Sequence, residues 1–129
     1  MAALSDAARA LIDGKNFATV GTIQPDGRPQ LSLVWVDRDG DDVLFSTLEG
    51  RRKHANLVAD PRITLLISPV ENPYAYLEIR GTATLETEGV TQLIHDLGIK
   101  YTGEPYGDGA KAPRVTVRIS ADHVVEYGL

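Results

Sequence analysis

Cysteine is missing from this chain altogether. That absence excludes disulfides, thiol nucleophiles and cysteine-held metals, and it fits a reducing compartment, so the cytoplasm is the expected location. Long apolar runs are missing as well; none approaches the ~18 residues that a membrane helix needs. The opening Met-Ala-Ala-Leu-Ser-Asp carries no basic stretch followed by an apolar one, so neither a secretory leader nor a membrane partner is expected. Positive charge is scarce: 13 Lys and Arg stand against 18 Asp and Glu, giving a net charge of −5 and a pI of about 5.1. A general nucleic-acid binder carries a basic footprint, so nucleic acid is not an expected partner. No Gly-x-Gly-x-x-Gly fingerprint, Walker loop or Gly-x-Ser-x-Gly elbow occurs. His54, His95 and His123 lack the helical spacing of a metal site, so no metal is expected.

What is present reads as one globular domain over residues 1–129, with 43% hydrophobic and 24% charged residues. A short helix opens the chain. Ser5 caps it, Leu4 staples it, Ala7, Ala8, Leu11 and Ile12 form its stripe, and Gly14 ends it. Phe17 to Ile23 reads as a strand, followed by the turn Pro25-Asp26-Gly27. In the next strand Leu31, Leu33 and Trp35 share an apolar face, with Trp35 read as core, while Gln30, Ser32 and Val34 share the other. The turn Asp39-Gly40-Asp41 leads into Val43 to Thr47, and the run reads as a meander. Gly50 to Val58 reads as a short helix that must stop before Pro61. Ile63 to Ile67 reads as a strand buried on both faces. Tyr74 to Leu85 alternates, with Ala75, Leu77, Ile79, Ala83 and Leu85 on one side. Val90, Leu93, Ile94 and Leu97 mark an amphipathic helix over Thr87 to Lys100, with His95 on its polar side. A glycine-rich loop from Tyr101 to Pro113, including Gly109, precedes a last strand that sets Val115, Val117 and Ile119 against Arg114, Thr116 and Arg118. The fold expected is mainly β: about six antiparallel strands with short helices, in a small closed or half-closed barrel.

One segment stands out. Arg51-Arg52-Lys53 opens a helix in an acidic protein, at the end where the helix is already positive. A bound phosphate resolves that conflict, because free N–H groups, guanidinium forks and an ammonium can all face it, with the Ser46 and Thr47 hydroxyls close by. The plainer alternative is a solvated basic turn paired with nearby carboxylates. Tyr74 and Tyr76, opposite the core stripe, suit a pocket or a subunit interface. Arg114 and Arg118 read as structural partners of Glu78 or Glu126.

Several of these residues recur in order: Asp26-Gly27-Arg28-Pro29-Gln30-Leu31-Ser32, Ser46-Thr47 with Gly50-Arg51-Arg52-Lys53, Asn56-Leu57 with Asp60-Pro61-Arg62, Asn72-Pro73-Tyr74 with Leu77-Glu78-Ile79-Arg80-Gly81, and Lys100-Tyr101-Thr102-Gly103. In that order and spacing the chain resembles the deazaflavin-dependent reductases of the pyridoxamine-phosphate-oxidase-like superfamily, over nearly its whole length. The resemblance implies an FMN-binding-type split β-barrel working as a homodimer, with coenzyme F420, or FMN as the alternative, in a groove between subunits. Arg51 and Lys53 would hold the tail phosphate, with Arg52 nearby and Ser46 and Thr47 flanking it. Asn56 would orient the helix start, and Gln30, Ser32 and Val34 would face the ring. Tyr74 and Tyr76 would border the ring from the partner subunit, Tyr76 being the candidate proton donor. The activity implied is hydride transfer to an electron-poor double bond of a small molecule, or else an FMN oxidoreductase or a non-enzymatic cofactor carrier. The chain is much shorter than the vitamin B6 oxidases, which puts pyridoxamine-phosphate oxidation in doubt.

Overall fold

The computed structural model describes residues 2–107 and 112–129. Helix α1 (Asp6–Asp13) starts as its cap requires: the Ser5 hydroxyl accepts from the Ala8 N–H, and Leu4 is buried beneath it. Strands β1 (Ala18–Ile23) and β2 (Pro29–Val34) form the expected hairpin, with Gly27 at φ 86° in the turn. A second hairpin joins β3 (Asp37–Asp39) to β4 (Asp42–Leu48). Then come α2 (Arg52–Ala59), β5 (Arg62–Ile67), β6 (Tyr76–Glu86), α3 (Val90–Thr102) and β7 (Arg114–Tyr127).

The seven strands make one antiparallel sheet in the order β2-β1-β5-β6-β7-β4-β3. It curls into a split barrel that does not close, with β2 and β3 at its free edges. Its concave side holds the main core, where Val20, Phe45, Leu65, Ile67, Leu77, Ile79, Val117 and Ile119 are essentially sealed from solvent. Each such side chain contributes roughly 1.5–3 kcal/mol on burial. A second, smaller core lies on the opposite side, where Leu93, Ile94, Leu97 and Tyr101 of α3 pack on Leu44 and Trp35.

The structure corrects several expectations. There are seven strands, because the short β3 was too brief to read as a strand. The first four do not form a meander: β2 pairs only with β1, and β4 turns away to β7. In β2 the apolar face is the outer one. Leu31 and Leu33 are 64% and 70% exposed, while Gln30, Ser32 and Val34 lie opposite Thr22, Val20 and Ala18 on the inner side. Strand β5 is buried on one face only, with Thr64 and Leu66 outside. Tyr101 is the buried last turn of α3 and not part of the loop. Its hydroxyl donates to the Asn16 carbonyl at 2.6 Å and accepts from the Val36 N–H at 3.1 Å. Arg118 pairs with Glu86, Asp39 and Asp42, and neither Glu78 nor Glu126 is its partner. Glu78 holds Arg80, and Glu126 accepts from Ser5. Gly109 lies outside the described residues.

Candidate functional site

Between α3, the outer side of β4, the start of α2 and the end of β2 lies a cavity of about 740 Å³. That size suits a cofactor or drug-sized molecule. One end is polar, lined by Ser46, Thr47, Arg51, Lys53 and Arg114; the other is apolar, lined by Phe17, Leu33, Val34, Trp35, Ile94 and Leu97. Leu48, Tyr106 and Gly107 complete the wall.

The polar end follows from how α2 begins. Its N-cap is Arg51, which supplies no side-chain cap, and no acid occupies the first turn. The amides that open this helix therefore lack the usual oxygen acceptor, beside two cations. Among the described residues, Arg51, Arg52 and Lys53 make no side-chain hydrogen bond or ion pair. Burial pushes the Lys53 ammonium below the usual lysine value, and Arg51 pushes it the same way. The Thr47 hydroxyl is buried with no hydrogen-bond partner among the described residues. Ser46 Oγ accepts from Arg114 at 3.4 Å, a long contact. Such a set of unused donors and uncompensated charge suits an anion.

The apolar end is rigid. Trp35 stacks on Tyr101 with ring centroids 5.3 Å apart and 5° between planes, and Phe17 meets Tyr101 at 5.5 Å, tilted by 39°. Lys100 reinforces the wall by donating to the Ile12 and Val36 carbonyls, each at 2.6 Å. Its burial lowers its pKa against the raising effect of Asp37 and Asp13.

Of the residues singled out from sequence, Val34, Ser46, Thr47, Arg51 and Lys53 converge on this cavity. Arg52 and Asn56 line a separate hollow of about 440 Å³ beside the β1–β2 turn. Asn56 is buried in mid-helix, and its Nδ2 donates to Thr22 Oγ1 at 3.0 Å, which donates to Gln30 Oε1 at 3.1 Å. That chain anchors α2 to the sheet and so fixes where Arg51 and Lys53 stand. Gln30 and Ser32 do not line the cavity, although the Ser32 hydroxyl is buried without a partner among the described residues. Tyr74 is 84% exposed, and Tyr76 stacks on Tyr127 at 5.4 Å, away from the cavity of its own chain. Arg114, Trp35, Ile94 and Leu97 are lining residues that sequence reasoning placed elsewhere, and Tyr106 is one that it left in the late loop without a role. The helical stripe marked Ile94 and Leu97 as apolar, but nothing in its period says that part of the stripe faces a cavity.

The profile of the pyridoxamine 5'-phosphate oxidase family matches residues 4–127. The chain belongs to this family. The split barrel described above is the fold of this family. Solved structures agree on the fold. One titled F420 reductase superposes with a TM-score of 0.83 at 23% identity, covering 95% of this chain and 98% of the other. A conserved hypothetical protein, Rv2991 of Mycobacterium tuberculosis, gives 0.78 at 26% identity, over 96% and 84%. HupZ of group A Streptococcus gives 0.72 at 17% identity, over 95% and 93%. No helix among the described residues is long and apolar enough to cross a membrane.

Proposed function

We propose that the cavity binds coenzyme F420 and that the protein is an F420H2-dependent reductase of small molecules with an electron-poor double bond. The observation that carries this reading is the pair Arg51 and Lys53, cations of an acidic chain that line one cavity with no carboxylate partner among the described residues. The residues fit a planar ring joined to an anionic tail. Arg51, Lys53, the first amides of α2 and the Thr47 hydroxyl would hold the tail, and Val34, Leu33 and Trp35 would flank the ring. The neighbour titled F420 reductase supports the deazaflavin over FMN.

When bound and reduced, the cofactor supplies a hydride, so the acceptor takes up that hydride and one proton and becomes saturated. The chain's own part is to bind, orient and exclude water. The rigid Trp35–Tyr101 wall suits the close, aligned approach that hydride transfer needs. Among the described residues lining the cavity there is no histidine or carboxylate, so the proton would come from solvent, from a lining phenol such as Tyr106, or from Tyr76 of a second copy. A homodimer would supply that copy. Leu31, Leu33 and Leu66 are exposed on the outer side of the sheet and Tyr74 on the turn before β6, apolar surface of the kind that subunits cover. Sedimentation should show a dimer that Leu33→Asp dissociates; a monomeric wild type would remove this element of the proposal.

FMN carries a phosphate that the same cations would accept. Parallel titration of the purified protein with F420 and with FMN, followed by fluorescence and calorimetry, separates the two. Tight F420 binding with weak FMN binding is expected. The reverse order would move the protein to FMN chemistry, and binding without turnover of any enone would leave a carrier.

A further inference from the structure

We propose that Tyr106 selects the acceptor molecule, by setting the width of the cavity's apolar end. The inference rests on the reductase reading and concerns a residue that neither the charge pattern nor the resemblance marks.

Tyr106 stands where the two ends of the cavity meet. Arg114 lies over its ring, 5.1 Å from the centroid. On the apolar side its ring meets Trp35 at 5.9 Å and 88°, an edge contact. Trp35 cannot yield easily, because Tyr101 backs it in a near-parallel stack and is itself hydrogen-bonded to the backbone of Asn16 and Val36. Tyr106 is therefore the adjustable member of a right-angled corner of rings. A flat conjugated molecule can lie along such a corner, whereas a branched one meets the phenol.

The position of Tyr106 is fixed by an unusual residue choice in α3. Gly98 is buried in the helix, and a Cβ there would come 2.5 Å from the Tyr106 nitrogen and 2.8 Å from the Glu104 carbonyl oxygen. Glycine in a helix interior is disfavoured relative to alanine. Here it lets the chain after Gly103 fold back against α3 and carry Tyr106 onto the cavity wall. Gly98 thus acts as a positioning residue, one turn of helix away from Thr102 and outside the cavity itself.

The chain's single tryptophan sits in the same corner, so its emission reports the corner directly. The test compares wild type, Tyr106→Ala, Tyr106→Phe and Gly98→Ala. F420 and FMN affinity is measured first, then steady-state kinetics with cyclohexenone as the flat acceptor and carvone as the branched one. In Tyr106→Ala the ratio of kcat/KM for carvone over cyclohexenone should rise about tenfold, the scale of pocket-size discrimination. Cofactor affinity should change far less than this ratio, because Arg51 and Lys53 stay in place, and Trp35 emission should shift to longer wavelength. Gly98→Ala should move selectivity and emission in the same direction with the phenol still present, and Tyr106→Phe should keep both. Unchanged selectivity in a Tyr106→Ala protein that binds cofactor normally would overturn the inference and leave the reductase reading standing. So would a Tyr106→Phe change as large as the alanine one. A wild type that binds neither F420 nor FMN overturns the reductase reading and this inference together, before any acceptor is added.

Discussion

Two groups of cations in this molecule behave in opposite ways. Arg118, at the β3–β4 end of the sheet, has a carboxylate on every side: Glu86 at 2.9 Å, Asp39 at 3.0 Å and Asp42 at 3.1 Å. Hydrogen bonding to Glu86, outweighing the cost of burial, drives its pKa far up. Arg9 and Arg38 are likewise paired, with Asp41 and Asp13. At the start of α2, Arg51 and Lys53 have no such partner among the described residues, and Lys53 is pushed down by burial and by Arg51. A chain with five more acids than bases has carboxylates to spare. On the proposed reading, leaving these two cations unanswered at a helix N-terminus costs stability that a bound anion would recover. Pairing marks the first group as structure; its absence among the described residues is what the proposed ligand site rests on.

The comparison can be broken at either group. The largest effect is expected from the Arg51→Ala/Lys53→Ala double variant, which should lose about 3 kcal/mol of cofactor binding, roughly a hundredfold in Kd, with no loss of fold. Calorimetry together with thermal melting checks both halves. Arg118→Ala should do the reverse. It leaves three carboxylates facing one another and should cost about 1–2 kcal/mol of stability, seen as a lower denaturant midpoint, with Kd unchanged.

Acid provides a second test of the paired group. Hydrogen bonds from Arg38 and Arg9 hold the Asp13 and Asp41 carboxyls below the usual aspartate range. A depressed folded-state pKa gives stability that is present above the unfolded value and is lost as pH falls through the folded one. Melting temperature should therefore drop as pH falls below about 4, and less steeply in Arg38→Gln. An equal slope in the variant would deny the pair its role. The smallest effect carries the opposite sign. Lys53 has a folded pKa below 10.5, so its charge opposes folding at neutral pH. Lys53→Met should raise the melting temperature of the ligand-free protein by about a degree or two, where Arg118→Ala lowers it.

Much of the scaffold was legible because short-range rules decide it. Ser5 before an alanine-rich stripe, Pro25-Asp26-Gly27 between two apolar runs, and Pro61 after a helix each act through their immediate neighbours, and each produced the element expected. What sequence could not show was which strands would meet. Leu31 and Leu33 alternate as a core face would, yet β2 is an edge strand whose inner side is the one carrying Val34. The alternation is the same for either face, and only the pairing with β1 settles which is buried. Of the site, the cationic end was legible because three consecutive cations at a helix start violate local electrostatics. The aromatic end was not. Trp35, Tyr106 and Arg114 come from three separate elements, and Tyr106 reaches the wall through Gly98, whose role depends on a loop folding back over it. Asn56 shows the intermediate case: it belongs near the cationic helix, but its buried amide serves Thr22 and the sheet.

The most direct measurement is a titration of the wild-type protein with F420 and with the same deazaflavin stripped of its phosphate tail. The ring is constant, so only the anionic tail differs. Roughly a hundredfold preference for F420, abolished in the Arg51→Ala/Lys53→Ala variant, is the expected result. Equal affinity for the two compounds would contradict the claim that Arg51 and Lys53 at the start of α2 hold an anion.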